Sequence, residues 1–470
     1  MSCQEFKDYI KEVSEEFKQI DKGETIRLIS HLDADGISAC SIFVKAMNQD
    51  NRKYSVSIIQ QLDIDTVREL ANENYNCFVF TDLGSGQISL IKEHLGHKKV
   101  FVFDHHMPES DFKRDKNLVH VNPHMFGIDG TTEVSGAGVV YLFSRSLSEK
   151  NEDMAHIALI GAIGDVQESN GLSMLNQEIL ETAKAKGKIR IERGLRCFGA
   201  QTKPLHKLLE YSTDPYIPGV SGNETGAIHF LQQIGIDPKQ GNEWKKLIHL
   251  DGEETKKLIA AVVMKRLNEA SPEDVLGAVY TLPNEEEESP LRDAREFSTL
   301  LNACGRLNRA SIGVGACLGD KKAKTKAIQN LNKYRKEIIN AINWFNENKG
   351  SENVIRENGS IIINAQDYIL GTIAGTLASI LTRSGEFEDG TLILSLAYLD
   401  RNIKASLRIC GNNREIDLRR IIMKIVEESG GEAGGHCRAA GAIIPMDKEQ
   451  EFMDAARKIL GKINLEEAVL

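Results

Sequence analysis

The eight cysteines are scattered (Cys3, Cys40, Cys77, Cys197, Cys304, Cys317, Cys410 and Cys437), and no two of them form a CxxC pair. In a chain without an export signal, that spacing argues for reduced thiols and against a disulfide scaffold. No apolar run approaches the roughly 18 residues that a membrane helix needs. The first residues, "MSCQEFKDYIKEV", are not those of a signal peptide. A cytoplasmic enzyme with no membrane association is expected. Positive charge is also in deficit: the formal charge of −10 argues against a protein that coats polyanions in general. It does not exclude nucleic acid as a substrate, because acids gathered around divalent cations lower the count.

What is present is size and alternation. A chain of 470 residues is too long for one ordinary core, so two or three domains are expected. In the first 165 residues the runs "TIRLIS", "YSVSIIQ", "NCFVFTD", "KVFVFDHH" and "LVHVNP" read as strands, with helices such as Gly36–Met47 and Ile64–Glu73 between them. Such alternation predicts a doubly wound parallel sheet, whose ligands bind at the carboxyl ends of the strands. The polar residues sit at those ends: His31, Asp33 and Asp35 after the first strand, Asp82 ending the third, Asp104, His105 and His106 ending the fourth, and "NPH" (Asn122–His124) ending the fifth. The helix "MAHIALIGAIGD" then delivers Asp165.

The pattern changes near residue 190. Residues 191–290 read as an inserted, mainly helical module, and the acidic run Asn284–Ser289 as a solvated loop. Residues 291–350 read as connecting helices, the last of them amphipathic with a solvated basic face of Lys324, Lys326, Lys333, Arg335 and Lys336. Residues 351–470 alternate again as a second, smaller α/β domain, which leaves 1–190 as the first domain.

Five aspartates and at least two histidines at one sheet edge raise one another's pKa or recruit cations. Taken singly they have ordinary explanations. An Asp at a strand end is a turn residue or a helix cap, Asp165 in "GDVQ" closes a helix, and "DHH" is a satisfied polar cluster. Together, at successive strand ends, they point to a pair of divalent cations bridged by one carboxylate, a centre suited to in-line displacement at phosphorus. Mixed imidazole and carboxylate ligation without thiolate suits Mn2+, with Mg2+ or Co2+ as alternatives. In the last domain, Gly434 and Gly435 permit a tight turn whose N–H groups can approach a phosphate, with His436 beside them. The other reading is a glycine turn that serves only the fold. Arg408 and Arg438 are candidate phosphate contacts, and Asn302 and Arg306 in "NACGR" are further ones.

These motifs resemble those of the DHH phosphoesterase superfamily: "HLDADG" its first, the Asp of "FTDLGSG" its second, "DHH" its third and Asp165 of "GDVQE" its fourth. "GGHCRAAG" resembles the glycine-rich signature of the DHH-associated C-terminal domain. The likeness spans essentially the whole chain. The segments "KPLHKLLEYSTDPYIPG" and "LRDAREFSTLLNACGR" are similar to archaeal RecJ-like nucleases, including the GINS-associated nuclease. The resemblance implies that His31 and Asp33 ligate one metal and Asp35 the other, with Asp82 bridging and His105 and Asp165 completing the second site. Asp104 would orient a histidine, and His106 would face the scissile phosphate. The active site would lie in the cleft between the N-terminal DHH domain and the C-terminal domain.

The resulting expectation is a metal-dependent exonuclease that releases mononucleotides from single-stranded DNA or RNA, in DNA replication and repair or in RNA processing. Two alternatives stay open. One is a phosphodiesterase for short oligonucleotides or cyclic dinucleotides. The other is a replication-complex adaptor whose inserted module binds the GINS complex or another replication or RNA-processing protein.

Overall fold

The computed structural model describes residues 3–169, 171–212, 216–269, 271–357, 359–411, 416–436 and 438–467. The chain divides into two compact units, 1–331 and 332–470. The first opens on helix α1 (Cys3–Lys18) and then alternates: β1 (Thr25–His31), α2 (Ala34–Gln49), β2 (Lys53–Ile59), α3 (Ile64–Asn72), β3 (Cys77–Thr81), α4 (Ile88–Leu95), β4 (Lys99–Phe103), β5 (Leu118–Val121), α5 (Gly136–Leu147) and α6 (Ala155–Gly164). The five strands are parallel, in the order β2-β1-β3-β4-β5. Successive strand side chains point to opposite faces. Phe78, Phe80, Val100 and Val102 pack with Val67, Leu70, Ile91 and Leu95 of α3 and α4. Phe101 and Phe103 meet Phe17 of α1 and Phe143 of α5 on the other side. Covered on both faces, the sheet is doubly wound as the alternation predicts.

Register decides where the polar residues land. Ser30 pairs with Thr81, Thr81 with Phe103, and Phe103 with Val121. The residues that follow in each strand or just beyond it (His31, Asp82, Asp104 and Asn122) therefore stand in one row at the carboxyl edge.

After α7 (Met174–Ala185) the chain enters β6 (Arg190–Leu195), α8 (Leu205–Glu210), α9 (Glu224–Gln233), the short hairpin β7 (Lys239–Gln240) and β8 (Glu243–Trp244), α10 (Gly252–Lys265) and β9 (Leu276–Thr281). This region has its own core, with Leu205, Leu209, Ile217, Phe230, Leu258 and Val262 at its centre. The antiparallel pair of β6 and β9 closes it. That pair escapes the sequence pattern because "RIERGL" buries only Leu195 and shows no alternation. The acidic run Asn284–Ser289 is more than a solvated loop: Glu285 pairs with Lys324 at 2.6 Å and Glu288 with His249 at 2.8 Å, so Lys324 is not on a merely solvated basic face as its sequence pattern suggests. Helices α11 (Ala294–Arg306), α12 (Ala310–Cys317) and α13 (Lys321–Asn348) follow.

The second unit contains β10 (Val354–Glu357), β11 (Ser360–Asn364), α14 (Ala374–Leu381), β12 (Leu392–Leu399), β13 (Asn402–Ile409), α15 (Leu418–Ser429), β14 (Glu432–His436), β15 (Ala439–Pro445) and α16 (Glu449–Glu467). Its mixed sheet runs β10-β11-β12-β13-β15-β14. The strands pack on α15 and α16 through Leu394, Leu407, Ile422, Ile425, Phe452 and Leu460. Gly434 and Gly435 correct the sequence reading. They belong not to a tight turn but to the edge strand β14, paired with Gly441 and Ala440. Gly435 holds φ +125°, and a Cβ there would strike the Ala439 carbonyl, so the strand requires glycine at that point. Among the described residues no helix is long and apolar enough to cross a membrane.

Candidate metal centre

The turn after β1 places three of the expected ligands within five residues. His31 ends the strand. Asp33 is the N-cap of α2: its Oδ1 accepts from Gly36 N at 2.9 Å, while its Oδ2 lies 3.0 Å from His31 Nδ1. The helix cap and the candidate ligand are thus the same side chain, one oxygen for each task. Asp35, in the first turn of α2, points to the N-terminus of α5, where its oxygens accept from Gly136 N (2.6 Å) and Ala137 N (3.1 Å).

Asp82 follows β3 with φ +59°, a left-handed conformation that Asp tolerates better than most residues. Its amide donates to Phe103 O at 2.9 Å, which pins it to β4. The carboxylate lies 3.6 Å from His31 Nδ1 and 3.3 Å from His105 Nε2, and His105 Nε2 lies 3.2 Å from Asp165 and 3.7 Å from Asp35. Asp165 is the C-cap of α6, as the helix pattern predicts.

Asp104 is fully engaged. Its Oδ2 accepts from Ser85 N (2.9 Å), and its Oδ1 accepts from His105 N (2.8 Å) and from His106 Nδ1 (2.8 Å). Nδ1 of His105 donates to Gly130 O at 2.7 Å, which directs Nε2 into the carboxylates.

The electrostatics show what this assembly lacks. Burial opposes charge on His31 and His105, but the carboxylates around them (Asp33 and Asp82 for the first, Asp82, Asp165 and Asp35 for the second) hold both pKa values well above the ordinary histidine value. Burial, reinforced by Asp82 and Asp165, raises Asp35 well above the carboxylate range. Asp165 is pushed up to about 7, by burial first and then by Asp33 and Asp82 against the opposing pull of His105. Burial would raise Asp104 too, but His106 reverses this and holds it well below the usual value.

His31 Nδ1, both oxygens of Asp82 and His105 Nε2 are buried and crowd one another and their neighbours at 3.0–3.6 Å without well-aligned hydrogen-bond geometry. Orphaned buried groups of this kind need a partner. The donor atoms fall into sets within 4.8 Å of one another: His31, Asp33 and Asp82; Asp35, His105 and Asp165; and Asp82, Asp104, His105 and His106. Asp82 belongs to the first and last sets, and His31, Asp82 and His105, which carry the orphaned atoms, each belong to at least one set. The arrangement fits divalent cations held by nitrogen and oxygen.

Several supporting residues are not singled out by the motifs for this role, although Ser85 lies within "FTDLGSG" and Gln167 within "GDVQE". Ser85 Oγ donates to His120 Nε2 (2.8 Å), whose Nδ1 is committed to Phe112 O, and accepts from Asn122 Nδ2 (2.8 Å). Gln167 Nε2 shares the Gly130 carbonyl with His105, and Gln167 Oε1 accepts from Asn176 Nδ2. A Cβ on Gly136 would meet Asp82 and Asp35, and one on Gly161 would meet Asp35. Glycine inside an apolar helix costs about 1 kcal/mol relative to alanine, and that anomaly in "GAG" and "LIGAIG" is the available hint. Asn302 is placed near the centre, yet its Oδ1 accepts from Ala34 N at 3.0 Å and so braces the start of α2. Arg306 lies on the same helix, α11. Arg408 belongs to the second unit, where its guanidinium donates to Ser379 Oγ and to the carbonyls of Leu407 and Ala440. Arg438 is an exposed turn residue, and His436 ends β14.

The fold and its acidic, imidazole-bearing strand ends are those of a metal-binding phosphoesterase. Models of the DHH family N-terminal domain, the DHH-CID domain and the DHHA1 domain match residues 25–164, 197–279 and 358–462. An uncharacterized protein of Methanocaldococcus jannaschii is 31% identical over 441 residues, 93% of either chain. The chain belongs to the DHH family and has a RecJ-like fold. RecJ from Thermus thermophilus, solved in complex with Mn2+, superposes with a TM-score of 0.58 at 16% identity over 97% of this chain. The present chain spans 55% of that RecJ. CDC45 from Entamoeba histolytica superposes with a TM-score of 0.63 at 11% identity, covering 97% of this chain and 98% of that one.

Proposed function

We propose that the protein is a metal-dependent exonuclease of the cytoplasm that hydrolyses single-stranded DNA or RNA to mononucleotides, in DNA replication and repair or in RNA processing. The observation that carries this reading is the grouping of the orphaned buried atoms of His31, Asp82 and His105 with the donor atoms of Asp33, Asp35 and Asp165. His31 and Asp33 would hold one cation, Asp35, His105 and Asp165 the other, and Asp82 both. Mn2+ suits the donors best, with Mg2+ or Co2+ possible. When bound, such a pair supplies charge neutralisation for the phosphoryl oxygens and a lowered pKa for attacking water.

The remaining roles belong to the chain itself. Asp104 fixes the His106 ring through Nδ1. Burial opposes the charge of His106, but Asp104 raises its pKa above the ordinary value and so favours the form that carries a proton on Nε2 as well as on Nδ1. The Nε2 proton is available to the oxygen that leaves phosphorus. In the second unit, the backbone of Gly434 and Gly435, with His436, Arg408 and Arg438, is proposed to bind substrate phosphates, and Arg306 to assist from α11.

The test is degradation of matched single-stranded DNA and RNA labelled at either end, with Mn2+ and with the metal chelated. Metal-dependent release of mononucleotides from one end supports the exonuclease. A preference for dinucleotides over longer strands refutes it in favour of a small-nucleotide phosphodiesterase. The exposed Met264 and Leu267 at the end of α10 favour a combined role in which the inserted module binds the GINS complex or another replication protein. Met264→Glu with Leu267→Glu should then weaken that association and spare hydrolysis.

A further inference from the structure

Val166 directly follows the candidate ligand Asp165 and holds φ +61°. A β-branched residue is strained in that left-handed conformation, and such strain persists only where the surroundings impose it. The Val166 side chain imposes nothing, because it is 64% exposed. The two residues after it are buried instead. Gln167 is tied to Gly130 and Asn176, as described above. Glu168 Oε1 accepts from Arg295 Nε at 2.9 Å, and its Oε2 is buried as well. Arg295 Nη1 also donates to Arg196 O at 3.2 Å, and Arg196 Nη1 in turn donates to Ser169 O at 3.1 Å.

Arg295 stands in the first turn of α11, a helix that packs along both α6 and α2. About 10 Å further along the helix, Asn302 accepts from Ala34 N. Beyond it, a Cβ on Gly305 would strike the Leu32 carbonyl, so the helix backbone lies directly against the turn between His31 and Asp33. One end of α11 therefore holds the loop behind Asp165, and the other holds the turn that carries Asp33 and Asp35. The start of the helix also grips the inserted module, where Glu296 accepts from Gln201 N at 3.1 Å and from Thr202 Oγ1.

We infer that Arg295 is a positioning residue: through Glu168 it holds the strained loop of Asp165, and α11 thereby fixes one group of ligands relative to the other. The inference rests on the reading of this centre as a pair of cations, whose separation matters for in-line displacement. A guanidinium suits the task because it reaches a carboxylate and a carbonyl at once from a planar fork. An ammonium on a flexible stem loses one of the two directions.

The experiment uses the full chain and Arg295→Lys. Isothermal titration with Mn2+ is expected to show two sites in the wild type. One of them should weaken about tenfold or more in the variant, the lower end of the range for groups that orient ligands. Hydrogen exchange in EDTA reads the loop without the cation. The amides of Val166, Gln167 and Ser169 are bonded to the carbonyls of Ile163, Ala162 and Val166, and they should exchange faster in the variant. The Ile37 amide, bonded to Asp33 O, should keep its wild-type rate. Asparagine enters the left-handed region more readily than valine, so adding Val166→Asn should restore both the Mn2+ affinity and the slow exchange. A residue that only stabilises the fold would gain nothing at that one position. If Arg295→Lys fails to fold, Val166→Asn alone decides: slower exchange in the loop and a higher Tm are expected, and no change in either overturns the inference.

A folded Arg295→Lys protein with wild-type titration and wild-type exchange overturns the role of Arg295. So does equal weakening of both sites that Val166→Asn leaves unrepaired. A wild type that takes up no Mn2+ overturns the inference together with the metal centre. Loss at one site with rescue by Val166→Asn, in a protein that degrades no strand, upholds Arg295 and refutes only the nuclease.

Discussion

Replacing Gly136 by alanine changes no charge and removes no ligand, yet it should disable the centre. The added Cβ would sit 2.5 Å from Asp82 Oδ1, 2.8 Å from Asp82 Cβ and 3.0 Å from Asp35 Oδ2. The first of these is about 0.9 Å short of the 3.4 Å at which ordinary contact begins. Neither side yields easily. Asp82 is held by its amide to Phe103 and by its left-handed backbone, and the start of α5 is held by the two amides that grip Asp35.

Relief must therefore come from the Asp82 carboxylate or from Asp35, by a sizeable fraction of an ångström. Metal–ligand distances tolerate only about 0.2 Å, and a displacement near 1 Å costs on the order of 10²-fold in rate. Overpacking should cost about 1–3 kcal/mol of stability, a fall of roughly 2–4 °C in Tm per kcal/mol for a domain of moderate size. The assay pairs the Mn2+-dependent rate with the rise in Tm on adding Mn2+. Gly252→Ala, where a Cβ meets nothing within 4 Å, serves as the control. A Gly136→Ala protein with the wild-type rate and the wild-type Mn2+-induced rise would refute the placement of Asp82 between the two cations.

Asp82→Asn keeps the left-handed backbone accessible, and should lower the Mn2+-dependent rate by about 10²–10³-fold, the range for removing one preorganised charge-stabilising group; unchanged circular dichroism with full activity would contradict the proposed bridging role. Ser85→Ala leaves His120 and Asn122 short of a partner beneath Asp104, and should cost about 10–100-fold in kcat, as for other groups that orient ligands, with KM little changed. Cation binding should strengthen as pH rises through about 7, because Asp165 loses its proton there, which isothermal titration with Mn2+ at several pH values will show. The cation-free protein should behave oppositely. The folded pKa of Asp165 is raised above its unfolded value of about 4, so its ionisation opposes folding and stability falls as pH climbs from there through about 7. The raised His31 and His105 act in the same direction: their contribution is full below about 6.5 and is lost as pH rises through their higher folded values. A cation-free Tm that rises with pH over this window would contradict the crowding of the acids.

The five strands and the residues at their ends were legible in the sequence because each rests on local information: a short apolar run, a break, and a polar residue just past it. The same is true of Asp165, which a helical repeat delivers to a helix end. The polar residues at those ends could be named on that basis; which of them (His31, Asp33, Asp35, Asp82, His105 and Asp165) are candidate ligands came from the resemblance to the DHH phosphoesterases. Their grouping into sets could not be read locally, because strand order and register bring His31, Asp82 and Asp104 into one row. Only the folded chain shows that Asp33 serves as both cap and candidate ligand, that Asn302 braces Ala34, that Ser85 and His120 lie beneath Asp104, and that Gly136 and Gly161 make room for the acids. Contacts between residues far apart in the chain leave no periodicity behind. The glycine-rich segment before β15 shows the converse. Its composition suggests a turn, but an edge strand beside β15 and a positive φ at Gly435 use glycine for another reason. Local chemistry determined which residues were available; long-range pairing of backbone and side chains decided what each of them faces.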